Sequence, residues 1–563
     1  MLIRQDVLYL DMKNIFICLL ISLFSFISCT SVSDKNAGTL AVINARIWTG
    51  NPAQPWAEAI TVSGDSIIFV GDRETSNEFI SDSTLVVDAQ GQMIIPGFID
   101  CHVHMVDGGY SILAVQLRDV SSKQDFIRRI ADYAKTLPSG VWITGGVWNH
   151  QNWGGELPEA SWIDSVTADN PVWLMRLDGH MGIANTLAMK NAGVNGTFKD
   201  IAGGEIVRND KGMITGIFKD NAIDIITKKI SDPPVDIKDK AMDAAMKLYA
   251  SNGITSLHNM GSWADLETFR RIHDKGLLTT RIYACLPLSE WAKLRDEMQK
   301  HGKGDQWLRI GGLKGFMDGS LGSHTAAMLE PFNDKPSDKG LFNTNPDSLF
   351  SYTRNADAGG LQVMVHAIGD KAIRMQLDIF DSVTKLNGER DRRFRIEHAQ
   401  HIHPDDIRRF AELKVIPSMQ PYHAIDDGCW AEKYIGINRC RTSYAFNSLE
   451  KAGASLAFGS DWYVAPPSPL EGIYAAVTRK TLDNKNPSGW IPEQKISVEQ
   501  ALRAYTAGGA FASYDEKIKG TLEVGKLADF VIIDKDIFSI EPEKIRDIKI
   551  VSTYVGGRKV YSR

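Results

Sequence analysis

Eight short apolar runs, each closing on polar residues, recur along the middle of this chain and set the strongest limit on its fold. They read IIPGFIDCHVH, ITSLHNM, RIYACLP, LRIGGLKGFMDG, LQVMVHAIGD, FRIEHAQH, KVIPSMQP and SLAFGSDW. Helical stretches such as DIKDKAMDAAMKLYASNG and ALRAYTAGGAFASY separate or follow them. Short continuous apolar runs are the mark of strands buried on both faces, and their alternation with helices favours a parallel sheet. Eight such units is the count of an α/β protein built on a (β/α)₈ TIM-like barrel. The alternative is an open doubly wound sheet, but the chain lacks the Gly-rich phosphate fingerprint that goes with that fold. The stretch from about 106 to 245 is too long for one crossover. It is predicted to be an insertion after the first strand, with strand-like runs VWITGGVW and PVWLMRL of its own.

The two ends of the chain read differently from the middle. Residues 39–94 are short strands bounded by Gly, Asp and Asn, and 513–563 reads alike, with GTLEVGKLADFVIID and IKIVSTYVGGRKVYSR. Each piece is too small to fold well alone, so both ends are expected to build one discontinuous β-sandwich around a barrel at 95–512. A hydrophobic fraction of 43% excludes a disordered chain. With 63 basic against 69 acidic residues the net charge is −6, which lacks the basic excess of a nucleic-acid binder.

The first residues read as an address. Ile15 to Ile27 is an apolar run, IFICLLISLFSFI, shorter than the ~20 residues a bilayer span needs and laid out like a secretory signal. It ends in Phe26-Ile27-Ser28-Cys29, which resembles a bacterial lipobox, with Phe26 where Leu is usual. Asp6 and Asp11 precede the run, and initiation at Met12 gives a cleaner signal. Residues 1–28 are therefore expected to be a lipoprotein signal peptide, Cys29 the lipidation site, and 29–38 a flexible tether. This places the protein in the cell envelope, facing the periplasm or exterior and touching the membrane through its lipid alone. An ordinary peptidase site or a retained anchor are the alternatives. Six cysteines are too few for a disulfide scaffold. Beyond the signal, Cys101, Cys285, Cys429 and Cys440 remain, of which Cys429 and Cys440 could pair in an oxidising compartment.

Chemistry concentrates at the ends of the predicted strands. Residues two apart on a strand share a face, so His102 and His104 of PGFIDCHVH can both enter the barrel mouth, where neutral imidazole suits Zn²⁺ or a similar ion. An H-x-H pair alone is weak evidence. His366 ends VMVH, His398 ends RIEH and Asp461 ends LAFGSD, and strand ends converge on one rim of a barrel. Lys314, near the end of LRIGGLK, would become an anionic oxygen ligand bridging two metals if CO₂ added to it as a carbamate.

This set resembles the amidohydrolase superfamily, nearest its amidohydrolase 3 branch, which includes N-substituted formamide deformylases. The resemblance spans roughly residues 39–560 and rests on PGFIDCHVH, LKGFMDGSLGSHTAA, VHAIGDKA, RIEHAQHI, FGSDW and GKLADFVIID. It implies that His102, His104, Lys314, His366, His398 and Asp461 occupy the metal and catalytic positions around one or two divalent ions, zinc first among them. It also places Asp178-Gly179-His180 and Asn185 near the substrate, where His180 could polarise a carbonyl. Asp318-Gly319-Ser320 is expected to shape a loop, and Asp370 to cap the helix after it. His258 and His401 sit close to strand ends, His403 reads as loop structure, and no role is expected for His150, His273, His301, His324 or His423. Of the tryptophans in the insertion, Trp148 and Trp153 are the candidates to touch substrate.

The expected function is metal-dependent hydrolysis of a non-peptide C–N bond, amide-type, in a small-molecule substrate. The same centre could serve an esterase or lactonase, and a catalytically silent solute-binding lipoprotein is the third reading. No nucleic-acid partner is expected; a homodimer is admitted but not required by anything in the sequence. Cys29→Ala should yield an unprocessed or soluble protein in place of a membrane-associated one. Unchanged membrane fractionation and unchanged mass would rule lipidation out.

Overall fold

The computed structural model describes residues 37–231 and 233–563; the signal segment, Cys29 and most of the tether lie outside them. The eight apolar runs form the strands Phe98–Val103 (β1), Ile254–Met260 (β2), Arg281–Pro287 (β3) and Leu308–Phe316 (β4), then Gln362–Ala367 (β5), Arg395–His398 (β6), Ile416–Met419 (β7) and Ala457–Phe458 (β8). They lie side by side in sequence order, all parallel.

Just beyond β8 the chain meets β1. The Asp461 N–H donates to the His102 carbonyl and the His104 N–H to the Trp462 carbonyl, both at 2.7 Å. Below this seam, Asp100 accepts the Ser460 N–H at 2.7 Å and its hydroxyl at 2.5 Å. The pleat of β1 sends Ile99 and Cys101 outward against the small-residue helix Ala507–Ala512. Gly509 of that helix is needed for the close approach, because a Cβ there would lie 2.8 Å from Ile99 and 3.0 Å from Cys101 Sγ. His102 is left facing inward.

Both chain ends meet in the flanking β-sandwich. One sheet holds Leu40–Ile43, Ala59–Ser63, Ser66–Gly71 and Leu85–Asp88. The other mixes Arg46–Trp48, Trp56–Ala57 and Met93–Pro96 with Phe530–Ile533, Ile550–Val555 and Arg558–Ser562. Antiparallel pairing of Met93–Pro96 with Phe530–Ile533 joins start to end. Val42, Ile60, Val62, Ile94, Phe530 and Ile532 share the core between the sheets.

The insertion is richer than the sequence suggests. It carries six strands: Val115–Gln116, Ile143–Trp148, Val172–Arg176, Met181–Ala184, Gly204–Arg208 and Ile214–Asp220. The first three are parallel. Helices Met105–Leu113 and Val235–Ser251 flank it and pack so closely that a Cβ on Gly109 would lie 2.3 Å from the Ala241 carbonyl oxygen. The expected end near 245 falls inside the second of these helices. Cys429 and Cys440 are both free, against the pairing considered from sequence. Cys429 packs back on its own helix, donating to the Ile425 carbonyl.

Barrel and sandwich are tied by a buried ion pair. Arg281 of β3 reaches Asp529 through Nε at 2.7 Å and Nη2 at 2.9 Å, and the Gly556 N–H donates to the same carboxylate at 2.8 Å. Removing one partner strands the other without compensation. Asp529→Ala should lose about 3–5 kcal/mol of stability, read as a lower urea midpoint. Arg281→Met with Asp529→Leu should recover most of it; an unchanged midpoint in the single variant would deny the pair this role.

Candidate metal centre

The carboxyl ends of the barrel strands surround a cavity lined by His102, His104, Lys314, His366, His398 and Asp461. His180, from the insertion, lines it from the opposite side. Seven side chains singled out in the sequence thus border one space, drawn from five barrel strands and the inserted sheet.

At its floor, His102 is gripped from below. Its Nδ1–H donates to Glu397 Oε2 at 2.5 Å, and Glu397 Oε1 pairs with Arg395 Nε at 2.7 Å, all three side chains being fully buried. That hydrogen bond fixes the tautomer and leaves the Nε2 lone pair facing the cavity, where it accepts from Lys314 Nζ at 3.1 Å. Burial, then the neighbouring Lys314 charge, pushes the pKa of His102 well below the usual range, so the ring is neutral. Burial does the same for His366 and His398, whose rings lie 4.5 Å apart. Burial also pushes the Lys314 ammonium down to about 8, against the pull of Glu397 and Asp461.

Asp461 stands over this floor. Its Oδ1 is 3.4 Å from His104 Nε2 and 3.6 Å from His102 Nε2, buried and without a hydrogen bond. Burial alone would raise its pKa, but the imidazoles of His102 and His104 outweigh it and hold the carboxyl at about 2. A buried carboxylate oxygen lacking a donor beside two imidazole nitrogens is the donor set of a divalent cation. Two groupings have the required spacing: His102, His104 and Asp461, and His398, His423 and Asp461. His366 falls outside both, since its Nε2 donates to the Gly319 carbonyl at 2.9 Å.

Backbone strain marks the same places. His398 and Asp461 hold φ values of +71° and +60°, a region non-glycine residues rarely enter. The turn at His398 explains how neighbours Glu397 and His398 both reach the interior, which a regular pleat forbids. Sequence reasoning missed Glu397 for that reason.

The remaining expectations divide. His180 Nδ1 is 2.7 Å from Asp220, and its ring centroid is 4.9 Å from that of His366. Asp178 accepts from Arg176 and Ser320 at 2.5 Å and from Ser323 at 3.0 Å. Asn185 is structural, capping the helix that follows by accepting the Ala188 N–H at 2.9 Å. Asp318 shapes its loop by accepting the N–H groups of Ala327, Ile368 and Gly369.

Three expectations are corrected. Asp370 is the first residue of its helix rather than the cap, and accepts the Leu329 N–H at 2.7 Å. Trp148 and Trp153 do not line the cavity: they pack with Phe126 in the insertion's own core. His423, given no role, lines the cavity and joins the second grouping. It comes from the helix after β7, Pro421–Asp427, where no strand-end signal points to it. His150 accepts from Arg176 Nε at 3.2 Å; His258 accepts from Arg395 Nη1 at 2.9 Å inside the barrel; His401 contacts Ser443. His403 caps a short turn.

A family model described as the Amidohydrolase family matches residues 85–561. The chain belongs to the amidohydrolase family. Among the curated relatives of this amidohydrolase, Protein LONG AFTER FAR-RED 3 of Arabidopsis thaliana is 41% identical over 536 residues, covering 93% of this chain and 91% of the plant protein. N-substituted formamide deformylase of Arthrobacter pascens is 24% identical over 546 residues, covering 93% and 98%. The crystal structure of an uncharacterized metal-dependent hydrolase from Pyrococcus horikoshii superposes with a TM-score of 0.73 at 27% identity, over 90% of this chain and 99% of that one. The amidohydrolase fold and its His/Asp groupings thus coincide at one cavity.

Because Glu397 sets the tautomer of His102, Glu397→Gln should lower metal affinity about 10–100-fold, measured by chelator competition. An unchanged affinity would mean that the ring is held in place without it.

Proposed function

We propose that this amidohydrolase cleaves a non-peptide C–N bond of the amide type in a small molecule. The observation that carries the reading is the buried, unbonded Asp461 Oδ1 facing imidazoles at the barrel rim. His102, His104, His366, His398, Lys314 and Asp461 are the residues proposed to hold metal, with His423 offering a further nitrogen. Imidazole and carboxylate donors suit zinc, as one ion or two. Lys314, buried with its Nζ 3.1 Å from His102 Nε2, would supply a further anionic oxygen donor if CO₂ added to its amine. A divalent ion held there supplies Lewis acidity, polarising the substrate carbonyl and lowering the pKa of water.

The chain's own groups do the rest. Asp461, kept ionised, takes a proton from the attacking water on the oxygen that would not hold metal and returns it to the departing nitrogen. His180, oriented by Asp220, faces the cavity where it can hydrogen-bond the substrate carbonyl oxygen. The insertion contributes Asn149, Arg176, Leu177, Asp178 and His180 to the cavity wall. The deformylase relative, whose name denotes release of a formyl group from nitrogen, supports the choice of a C–N bond.

A substrate panel read for amine, acid and alcohol release separates amide from ester cleavage and from a silent binding protein. On any substrate so found, Asp461→Asn should turn over roughly 10²–10⁴-fold more slowly, with most metal retained. Wild-type turnover by the Asn variant would remove Asp461 as the base. Loss of all metal would make it chiefly a ligand.

A further inference from the structure

Away from the metal end, four charged side chains line the cavity: Arg176, Asp178, Asp426 and Asp427. Three are committed. Arg176 pairs with Asp178 at 2.5 Å and spends other N–H groups on His150 and Asn149, each at 3.2 Å. Asp427 accepts from Gln400 at 2.7 Å and from the Tyr444 hydroxyl at 2.5 Å. The Asp426 carboxylate makes no hydrogen bond or ion pair among the described residues. Arg118 lies nearby but turns Nη2 to the carbonyls of Tyr463 and Val464, and does not line the cavity.

The position of Asp426 gives it a distance from the chemistry. His423 and Asp426 are three apart on the helix Pro421–Asp427, which puts them on one face about one turn, ~5 Å, apart. His423 faces the His398 ring at 6.4 Å, so Asp426 sits one turn further from the reacting end. Trp430 follows and also lines the cavity, adding an aromatic ring to its wall. A carboxylate and an aromatic ring on the wall of one cavity offer the chemistry that recognises ammonium and N–H groups. A second carboxylate entering there would meet like charge.

We propose that Asp426 and Trp430 form a distal subsite that takes substrates whose far end carries a protonated amine or another N–H donor, and turns away those ending in a carboxylate. This deepens the amide-cleaving reading, on which its catalytic meaning rests, but it stands or falls on binding.

The test uses three amides of matched length: N-formylputrescine, N-formylpentylamine and N-formyl-δ-aminovalerate, whose far ends are ammonium, methyl and carboxylate. Each is titrated calorimetrically into the purified, metal-replete protein, and the same mixtures are assayed for formate and amine. The ammonium compound should bind about tenfold or more tightly than the alkyl one, as expected of a charge-assisted hydrogen bond, with the carboxylate weakest. Asp426→Asn should erase the ammonium advantage, Asp426→Glu should keep it, and Trp430→Leu should weaken binding of the ammonium compound. Melting temperatures identify any variant that fails to fold, and the wild-type order is decisive without it. Carboxylate binding equal to ammonium binding, an order unchanged in Asp426→Asn, or no binding of the ammonium compound overturns the proposal. Binding in the expected order without cleavage would leave the subsite standing and remove the amide-cleaving reading. Cleavage with a preference for the carboxylate would do the reverse.

Discussion

Two backbone hydrogen bonds, Asp461 N–H to the His102 carbonyl and His104 N–H to the Trp462 carbonyl, hold the first and last barrel strands together. Three of the four residues that make this seam, His102, His104 and Asp461, are those whose side chains form the first candidate metal grouping. Closure of the fold and assembly of the site are therefore one event. Without it, His102 and Asp461 would sit at opposite edges of an open sheet, as far apart as eight strands allow. The short β8 and its left-handed turn at Asp461 fit this arrangement, because the chain bends there to bring backbone to β1 and carboxylate to the cavity.

The floor of the site shows how a charge can be kept inside a barrel. Arg395, Glu397 and His102 form a buried line of donors and acceptors in which each charged group has an opposite partner. Arg395 also donates to the Cys101 carbonyl and to Ser418, so the line is braced to β1 and β7. Asp461 Oδ1, buried and without a hydrogen bond, lies above this line. That oxygen faces His104 Nε2 at 3.4 Å and His102 Nε2 at 3.6 Å, at the wall of the cavity.

The barrel was legible in the sequence because each of its strands is a compact apolar run ending in a polar residue, and all eight runs form strands. The ring of His102, His104, His366, His398 and Asp461 followed from strand ends alone. Glu397 was hidden by the pleat rule, which the positive φ at His398 breaks. His423 and Asp426 were hidden because they belong to a helix after β7, outside the strand-end pattern. The insertion was only half visible. Its short outer strands, such as Val115–Gln116, carry too little periodicity to be recognised before the sheet that recruits them is known. The tryptophans there suggested a pocket, but they serve a core that the inserted sheet must build for itself.

The pairing of Met93–Pro96 with Phe530–Ile533 bears on the order in which the protein is made. On the ribosome, the strand Met93–Pro96 emerges more than 400 residues before the partner that covers its edge. Its residues MIIP are buried in the finished protein, so for most of synthesis an apolar strand edge stands open. The N-terminal sheets can begin to collapse, but the sandwich cannot be completed until the last part of the chain is released. A chain broken off between residues 462 and 529 would keep every proposed metal ligand and still expose that edge. Such a fragment has a ready template for pairing with another copy of itself. Premature termination in this protein is thus a route to aggregation rather than to a smaller working enzyme.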